Sequence, residues 1–366
     1  MYDYNENQLA VLWLALISGF SAKRRSRLLE LTEEPGLLTE RFEALKKEII
    51  NVAGDVGYAE MRNKLSTLKQ DVRELNRRGI IAVGRYDADF PEQLKGVTDA
   101  PVLLFVKGEP KVLRNRAIAV VGPRKPSRYA EKVAEQFSKE FVRAGLTVVS
   151  GLARGVDSSA HAAAVAEGGI TVAVLGCGLD TTYPAENAGL AASILDGGGA
   201  IVSEYPLGEK PLTYHFPERN RIVSGLSEGV FLPEAGEKSG SLNTVRHASE
   251  QGREIFVVPT MINQSSGAGS NKLLRDMKND VVLTLEPEDV FIRLGLSKPL
   301  SGKATVAELN FTEQRIAAFL EEKGESHFEE ILAETGLSAG ELGAVLFEME
   351  MKGVVEKTTG NYYAVF

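Results

Sequence analysis

Apolar residues recur at helical spacing through roughly the first 75 positions, at Leu9, Leu12, Trp13, Leu16 and Ile17 and again at Leu28, Leu29 and Leu31. No strand-like alternation interrupts them, so residues 1–75 predict a small helical domain of helix-hairpin type. From about residue 80 the pattern changes to short β-branched runs, each followed by a glycine-containing turn and an alanine-rich amphipathic stretch. The runs are Ile80–Val83, Val102–Val106, Ile118–Val121, Thr147–Ser150, Thr171–Leu175, Ala200–Ser203, Gly229–Leu232, Glu254–Val258 and Asp280–Leu283. Near-continuous apolar strands alternating with helices predict a mostly parallel sheet covered on both faces. The fold class expected over 80–296 is therefore α/β, an extended Rossmann-like, doubly wound sheet. Its binding site should lie beyond the carboxyl ends of the strands.

Beyond Pro287 the apolar density falls, and residues 297–305 read as a linker. Three helical stretches follow, Thr312–Glu322, His327–Glu334 and Ser338–Met351, the first expected to be capped by Thr312 and the third by a Ser338/Glu341 capping box. The segments Val354–Lys357 and Tyr362–Val365 complete a hairpin, so 306–366 predicts a winged helix.

The chain has 366 residues, 43% hydrophobic and 25% charged, an ordinary globular composition that excludes collagen, bulk disorder and coiled coil. A single cysteine, Cys177, excludes an internal disulfide and a cysteine-rich zinc site and points to a reducing, cytoplasmic setting. No apolar run approaches the about 18 residues of a membrane span. The run Leu9–Ile17 follows acidic Asp3 and Glu6 and reads as a buried helix rather than a signal-peptide core. Net charge is −8, and residues 306–366, with 12 acidic and 4 basic residues, carry all of it. The rest of the chain is neutral, so its cations can still be grouped into a polyanion site.

Four strand-end loops carry candidate chemistry. After Ile118–Val121, Gly122, Arg124, Lys125 and Ser127 precede a helix and could hold a phosphate on backbone N–H groups and a guanidinium, although the spacing is not that of a dinucleotide fingerprint. After Thr147–Ser150 come Arg154 and Asp157, with His161 one turn on: either an Asp–His base, or a capping Asp beside a helix-packing His. The stretch His215, Phe216, Pro217, Glu218, Arg219, Asn220, Arg221 sets an aromatic ring beside cations, as a single-stranded nucleic acid requires. A core Phe with ion-paired surface arginines is the other reading. After Gly229–Leu232, Lys238 adjoins Ser239, Gly240 and Ser241, an anion nest that is not a P-loop because Glu237 stands where that motif needs glycine. The run Lys23, Arg24, Arg25, Arg27 could contact phosphate or form a solvated helix face.

Catalytic signals are sparse. The histidines fall in no metal spacing, no G-x-S-x-G elbow is present, and Cys177 in Gly176-Cys177-Gly178 has no evident base partner. No cofactor, metal or catalytic residue is expected.

These loops are ordered in a way that resembles the DNA-processing protein A family, DprA or Smf. The blocks are Ser150-Gly151-Leu152-Ala153-Arg154-Gly155-Val156-Asp157 with His161, Leu175-Gly176-Cys177-Gly178 with Tyr183-Pro184, Ser203-Glu204-Tyr205-Pro206, Phe216-Pro217-Glu218-Arg219-Asn220-Arg221, and Glu234-Ala235 with Ser239-Gly240-Ser241. The resemblance implies a homodimer that binds single-stranded DNA without catalysis and loads the RecA recombinase during natural transformation. It implies Arg124, Arg219 and Arg221 as phosphate contacts, Phe216 as a stacking ring, Lys238 to Ser241 as a further contact, and Arg154 with His161 as shaping the groove. The sequence departs from the family at Pro123, Ala130, Pro259-Thr260 and Met277-Lys278. Pro123 removes a backbone donor and a hydroxyl from the first loop.

Two other functions compete. The core is similar to nucleoside monophosphate phosphoribohydrolases of the lysine-decarboxylase-like fold, in which Glu234 would be the base, but Pro233-Glu234-Ala235-Gly236 lacks their paired glycines. The acidic winged helix should be repelled by phosphate and is better suited to a protein partner.

Overall fold

The computed structural model describes residues 2–277, 279–296, 309–351, 354–358 and 360–365. The expected linker at 297–305 and Lys278 lie outside them. The chain divides into two compact units, Met1–Leu296 and Ser297–Phe366.

In the first unit, helices α1 (Glu6–Ala15), α2 (Ala22–Leu29), α3 (Pro35–Glu40) and α4 (Lys46–Arg77, broken where Gly54 takes φ +77°) precede the sheet. Asn5 and Gln8 close a capping box on α1, whose residues Ala10 to Ala15 are all buried. The indole N–H of Trp13 donates to the Met61 carbonyl at 2.9 Å. Leu12, Trp13, Leu28 and Met61 share one core with Ile80, Ala82 and Phe105 of the first two strands, so these helices pack directly on the sheet.

The strands are β1 (Ile80–Gly84), β2 (Leu103–Gly108), β3 (Ala117–Val120), β4 (Thr147–Ser150), β5 (Thr171–Leu175), β6 (Ala200–Ser203), β7 (Gly229–Leu232), β8 (Glu254–Val257) and β9 (Val282–Leu283). Every expected run forms a strand. Their order across the sheet is β1-β2-β6-β5-β4-β3-β7-β8-β9, with the β1–β2 and β2–β6 pairs antiparallel and every other pair parallel, so β2 alone opposes the rest. Alternation sends Ile118, Val120 and Val148 to one face and Ala119, Val121 and Val149 to the other. The first face meets α6 (Arg128–Arg143), α7 (Val156–Ala166) and α12 (Pro287–Leu294), through Phe137, Phe141, Ala160 and Phe291. The second meets α5 (Glu92–Lys95), α9 (His215–Gly225), α10 (Ser241–Glu250) and α11 (Ala268–Asp276), through Leu94, Ile222, Val245 and Leu273. Helix α8 (Ala188–Asp196) covers β5 and β6 with Ala191 and Ile194. Strands β3 to β7 are buried along their whole length, which is why their central positions are apolar and polar residues (Thr147, Ser150, Thr171, Ser203) occur only at strand ends.

The second unit is a winged helix: α13 (Phe311–Lys323), β10 (Ser326–His327), α14 (Phe328–Thr335), α15 (Ala339–Met351), β11 (Val355–Lys357) and β12 (Tyr362–Val365). The cap of α13 is Asn310, not Thr312. Its amide oxygen accepts from Thr312 and Glu313 N–H, both at 3.0 Å, because the helix begins one residue before Thr312. The Ser338/Glu341 box forms as expected. Among the described residues no helix is long and apolar enough to cross a membrane.

Candidate nucleic-acid interface

The strand order reverses between β3, whose successors run towards β6, and β7, whose successors run towards β9. At such a switch point the loops leaving two neighbouring strands diverge to opposite faces and leave a crevice. Here the crevice is a cleft of about 880 Å³. Its walls are the β3 loop (Gly122, Arg124, Lys125), the β7 loop and α10 start (Lys238 to Ser241), and one face of α9 (Phe216, Asn220, Val223). Gly122 is required for closure, since a Cβ there would meet Val156 Cγ2 at 2.5 Å.

Arg124, Lys125 and Lys238 are exposed, and among the described residues none has a carboxylate within ion-pair distance. The Arg124 guanidinium lies 5.2 Å over the Phe216 ring, and Phe216 in turn meets Tyr183, centroids 5.4 Å apart and planes tilted by 40°. Ser239 and Ser241 hydroxyls bond each other at 2.8 Å, with exposed Gly240 between them as the N-cap of α10. Cations free of ion pairs beside one half-buried ring and one exposed ring can take phosphate and base together.

The other expected site residues are committed elsewhere. Ser127 caps α6, its hydroxyl accepting from Ala130 N–H at 3.1 Å, while its own N–H donates to Glu234 Oε1 at 3.0 Å. Arg154, on the cleft's outer margin with Tyr183, makes a two-point ion pair with Glu186 at 2.5 and 2.7 Å. His161 is in the core. Its Nδ1 meets the Thr171 hydroxyl at 2.7 Å, and burial, reinforced by Arg219, pushes its pKa down to about 3, so it stays neutral. Asp157 neither caps α7 nor bonds His161. It accepts from Gly151 and Ala153 N–H at 3.2 and 3.3 Å and ties down the β4 loop, because the N-cap position belongs to Gly155. His215 is buried, donating from Nδ1 to the Gly176 carbonyl at 3.1 Å.

Arg219 forms part of the cleft floor but is only 4% exposed and donates to the Val174 carbonyl. A side chain on Gly151 would collide with its guanidinium. Arg221 points away from the cleft, pairs with buried Glu204 at 2.7 Å and donates to the Asp99 carbonyl at 3.0 Å. In the basic run of α2, Arg25 is buried and donates to the Ala15 and Ile17 carbonyls.

The structure adds Tyr183, Asn243 and Thr244 to the cleft, with Ser265 and Ser266 from the β8 loop. Tyr183 sits past the carboxyl end of β5, where the strand-end rule already points. Asn243 and Thr244 lie one turn into α10 from Gly240, so helical spacing could have found them. Glu234 is 1% exposed, with one oxygen taken by Ser127 N–H and the other by the Ser266 hydroxyl at 3.2 Å. Cys177 is buried and its thiol pushed up to about 11, chiefly by desolvation. Among the described residues no group of His, Cys, Asp and Glu could hold a metal.

Residues 82–294 match the family model of DNA recombination-mediator protein A. The chain belongs to this family. Residues 302–361 match the DprA winged helix domain. The chain is 47% identical over 209 residues to Protein Smf of Escherichia coli, covering 57% of this chain and 55% of that one, so the match spans about half of that relative's length. It is 39% identical over 218 residues to DNA processing protein DprA of Bacillus subtilis, covering 59% and 72%. Among solved structures, DprA from Streptococcus pneumoniae superposes with a TM-score of 0.65 at 32% identity, over 80% of this chain and 98% of that one. The Helicobacter pylori DNA processing protein A, described for its single-stranded DNA binding mode, gives 0.53 at 28% identity, over 60% and 97%.

Proposed function

We propose that this protein binds single-stranded DNA in the switch-point cleft as a homodimer in the cytoplasm, and delivers the strand to the RecA recombinase during DNA uptake. One observation carries the DNA reading: Arg124, Lys125 and Lys238, none ion-paired among the described residues, line the same cleft as the Tyr183–Phe216 ring pair, with Arg124 over the Phe216 ring. Bases stack on the rings and phosphates lie against the cations, an arrangement indifferent to sequence and closed to a stacked duplex. Asn220, Ser239, Gly240 and Ser241 add polar contacts. Ser127, Arg154, His161, His215, Arg219 and Arg221 support the cleft walls rather than touch the strand. The single-stranded binding mode described for the Helicobacter pylori relative supports the reading, and delivery to RecA rests on family likeness. Binding without turnover is favoured by Glu234, whose carboxylate is spent on two loop contacts.

The test is fluorescence anisotropy of labelled oligo-dT, with a duplex of equal length, across a salt series. Wild type should prefer the single strand, and Arg124→Ala/Lys238→Ala should flatten the salt slope by about 0.7 per lost phosphate contact. Phe216→Ala should cost roughly 1–3 kcal/mol at constant salt. Equal affinity for duplex, or an unchanged slope in the double variant, sinks the reading. RecA filament formation on the bound strand, read by RecA's own ATP hydrolysis, should rise with wild type; without a rise the proposal reduces to DNA binding.

A further inference from the structure

A second cavity, of about 550 Å³, opens on the other face of α9, between that helix and the turn joining α1 to α2. Pro217, in the first turn of α9, lines both this cavity and the cleft. Its floor is charged and desolvated. Arg25, 4% exposed, spends Nη2 on two carbonyls of the α1 end, and its Nε–H makes no hydrogen bond among the described residues. Glu204, 6% exposed, accepts from Arg221 on Oε2, and its Oε1 has no donor among the described residues. Folded proteins seldom leave a buried donor and a buried acceptor both unmet. On the walls Tyr205 stacks on His215 with centroids 4.0 Å apart, and Tyr214 stands exposed beside them. On the rim Lys23 has no carboxylate within ion-pair distance among the described residues, and Arg246 reaches Glu250 only at 3.8 Å.

We propose that this cavity is a second nucleotide subsite, which makes the N-terminal helices part of the DNA-binding surface. A strand leaving the cleft crosses Pro217, sets a base against Tyr214 above the Arg25–Glu204 floor, and lays its phosphates along Lys23 and Arg246. The inference rests on the single-stranded DNA reading of the cleft. A nucleobase edge presents a donor beside an acceptor and so suits both unmet groups of the floor, whereas an apolar ligand suits neither and a simple anion only Arg25. Glu209 and Glu218 share the rim, the latter receiving the Tyr205 hydroxyl at 3.2 Å, and confine phosphate to the Lys23 and Arg246 positions.

The experiment titrates the full chain with oligo-dT of about four and about twelve nucleotides, lengths that bracket one site and its extension. Wild type is compared with Lys23→Ala/Arg246→Ala and with Tyr214→Ala, all at exposed positions outside the cleft. Both variants should bind the short strand as wild type does and the long strand about tenfold more weakly, with the double variant's long-strand salt slope reduced by about 1.4, two phosphates' worth. Variants that match wild type at both lengths overturn the subsite. The cleft reading fails separately, if Arg124→Ala/Lys238→Ala leaves short-strand binding intact, and the subsite then falls with it.

Discussion

Replacing Arg219 by Ala separates a cleft contact from a cleft support. The guanidinium is buried beneath Gly151, donates to the Val174 carbonyl, and interacts as an opposite charge with Asp157, itself 8% exposed. Burial pushes the Asp157 carboxyl up, and Arg219 opposes that shift by favouring the ionised form. Without Arg219, Asp157 keeps the Gly151 and Ala153 N–H bonds, both longer than 3 Å, and the Ser150 hydroxyl, all neutral donors that do not replace a charge. Removing one member of a buried charge pair costs about 3–5 kcal/mol. The two groups are not within ion-pair distance, so the lower end, about 3 kcal/mol, applies, a large fraction of the roughly 5–15 kcal/mol that holds a domain together. In urea unfolding Arg219→Ala should lose that amount, and Arg219→Met with Asp157→Asn should recover at least about 1 kcal/mol, because neither charge is then left alone. Exposed Arg124→Ala should stay within about 0.5 kcal/mol of wild type. An Arg219→Ala protein of wild-type stability and reduced DNA affinity would refute the assignment and make Arg219 a phosphate contact.

Three further expectations follow from the same geometry. His161 binds a proton near pH 6.5 when unfolded and near pH 3 when folded, so between those values the unfolded chain holds the extra proton and stability falls on acidification by up to about 1.4 kcal/mol per pH unit. Urea titrations between pH 7 and pH 5 should show His161→Gln with a shallower pH dependence than wild type, and parallel curves would contradict it. Deleting residues 304–366, which carry the chain's negative charge, should leave oligo-dT affinity unchanged or raise it, since Met1–Leu296 is compact by itself; a large loss would place DNA on the winged helix. If the proposed homodimer exists and forms along the open β9 edge, where Leu283, Leu285 and Ile292 are exposed, wild type should sediment as a dimer and Leu285→Lys/Ile292→Lys as a monomer, and an unchanged dimer would move the interface elsewhere.

The strand runs are legible in the sequence because burial on both faces confines polar residues in β3 to β7 to the strand ends, and the strand-end rule then names every loop that lines the cleft. Strand order is not legible, and it is the order that makes the β3 and β7 loops, rather than β4 and β5, the two sides of the crevice.

Helix α9 shows the limit most sharply. Read as a cluster, His215 to Arg221 offers two arginines to phosphate; read at about 100° per residue, Phe216, Asn220 and Val223 share the cleft face and Arg221 lies nearly opposite. That much is local and could be had from the sequence once the helix is recognised. What sets the two arginines apart from Arg124 and Lys238 is burial together with the partners Glu204, Asp157 and the Val174 carbonyl, and these meet α9 only through the tertiary fold. A guanidinium already holding buried partners cannot leave them for a phosphate without exposing an unpaired charge, so the density of cations along the chain overstates the site. On the proposed reading, the cleft's share of the affinity comes from Arg124, Lys125 and Lys238, and the salt dependence of a strand short enough to fill the cleft alone should count those three rather than every cation in the loops.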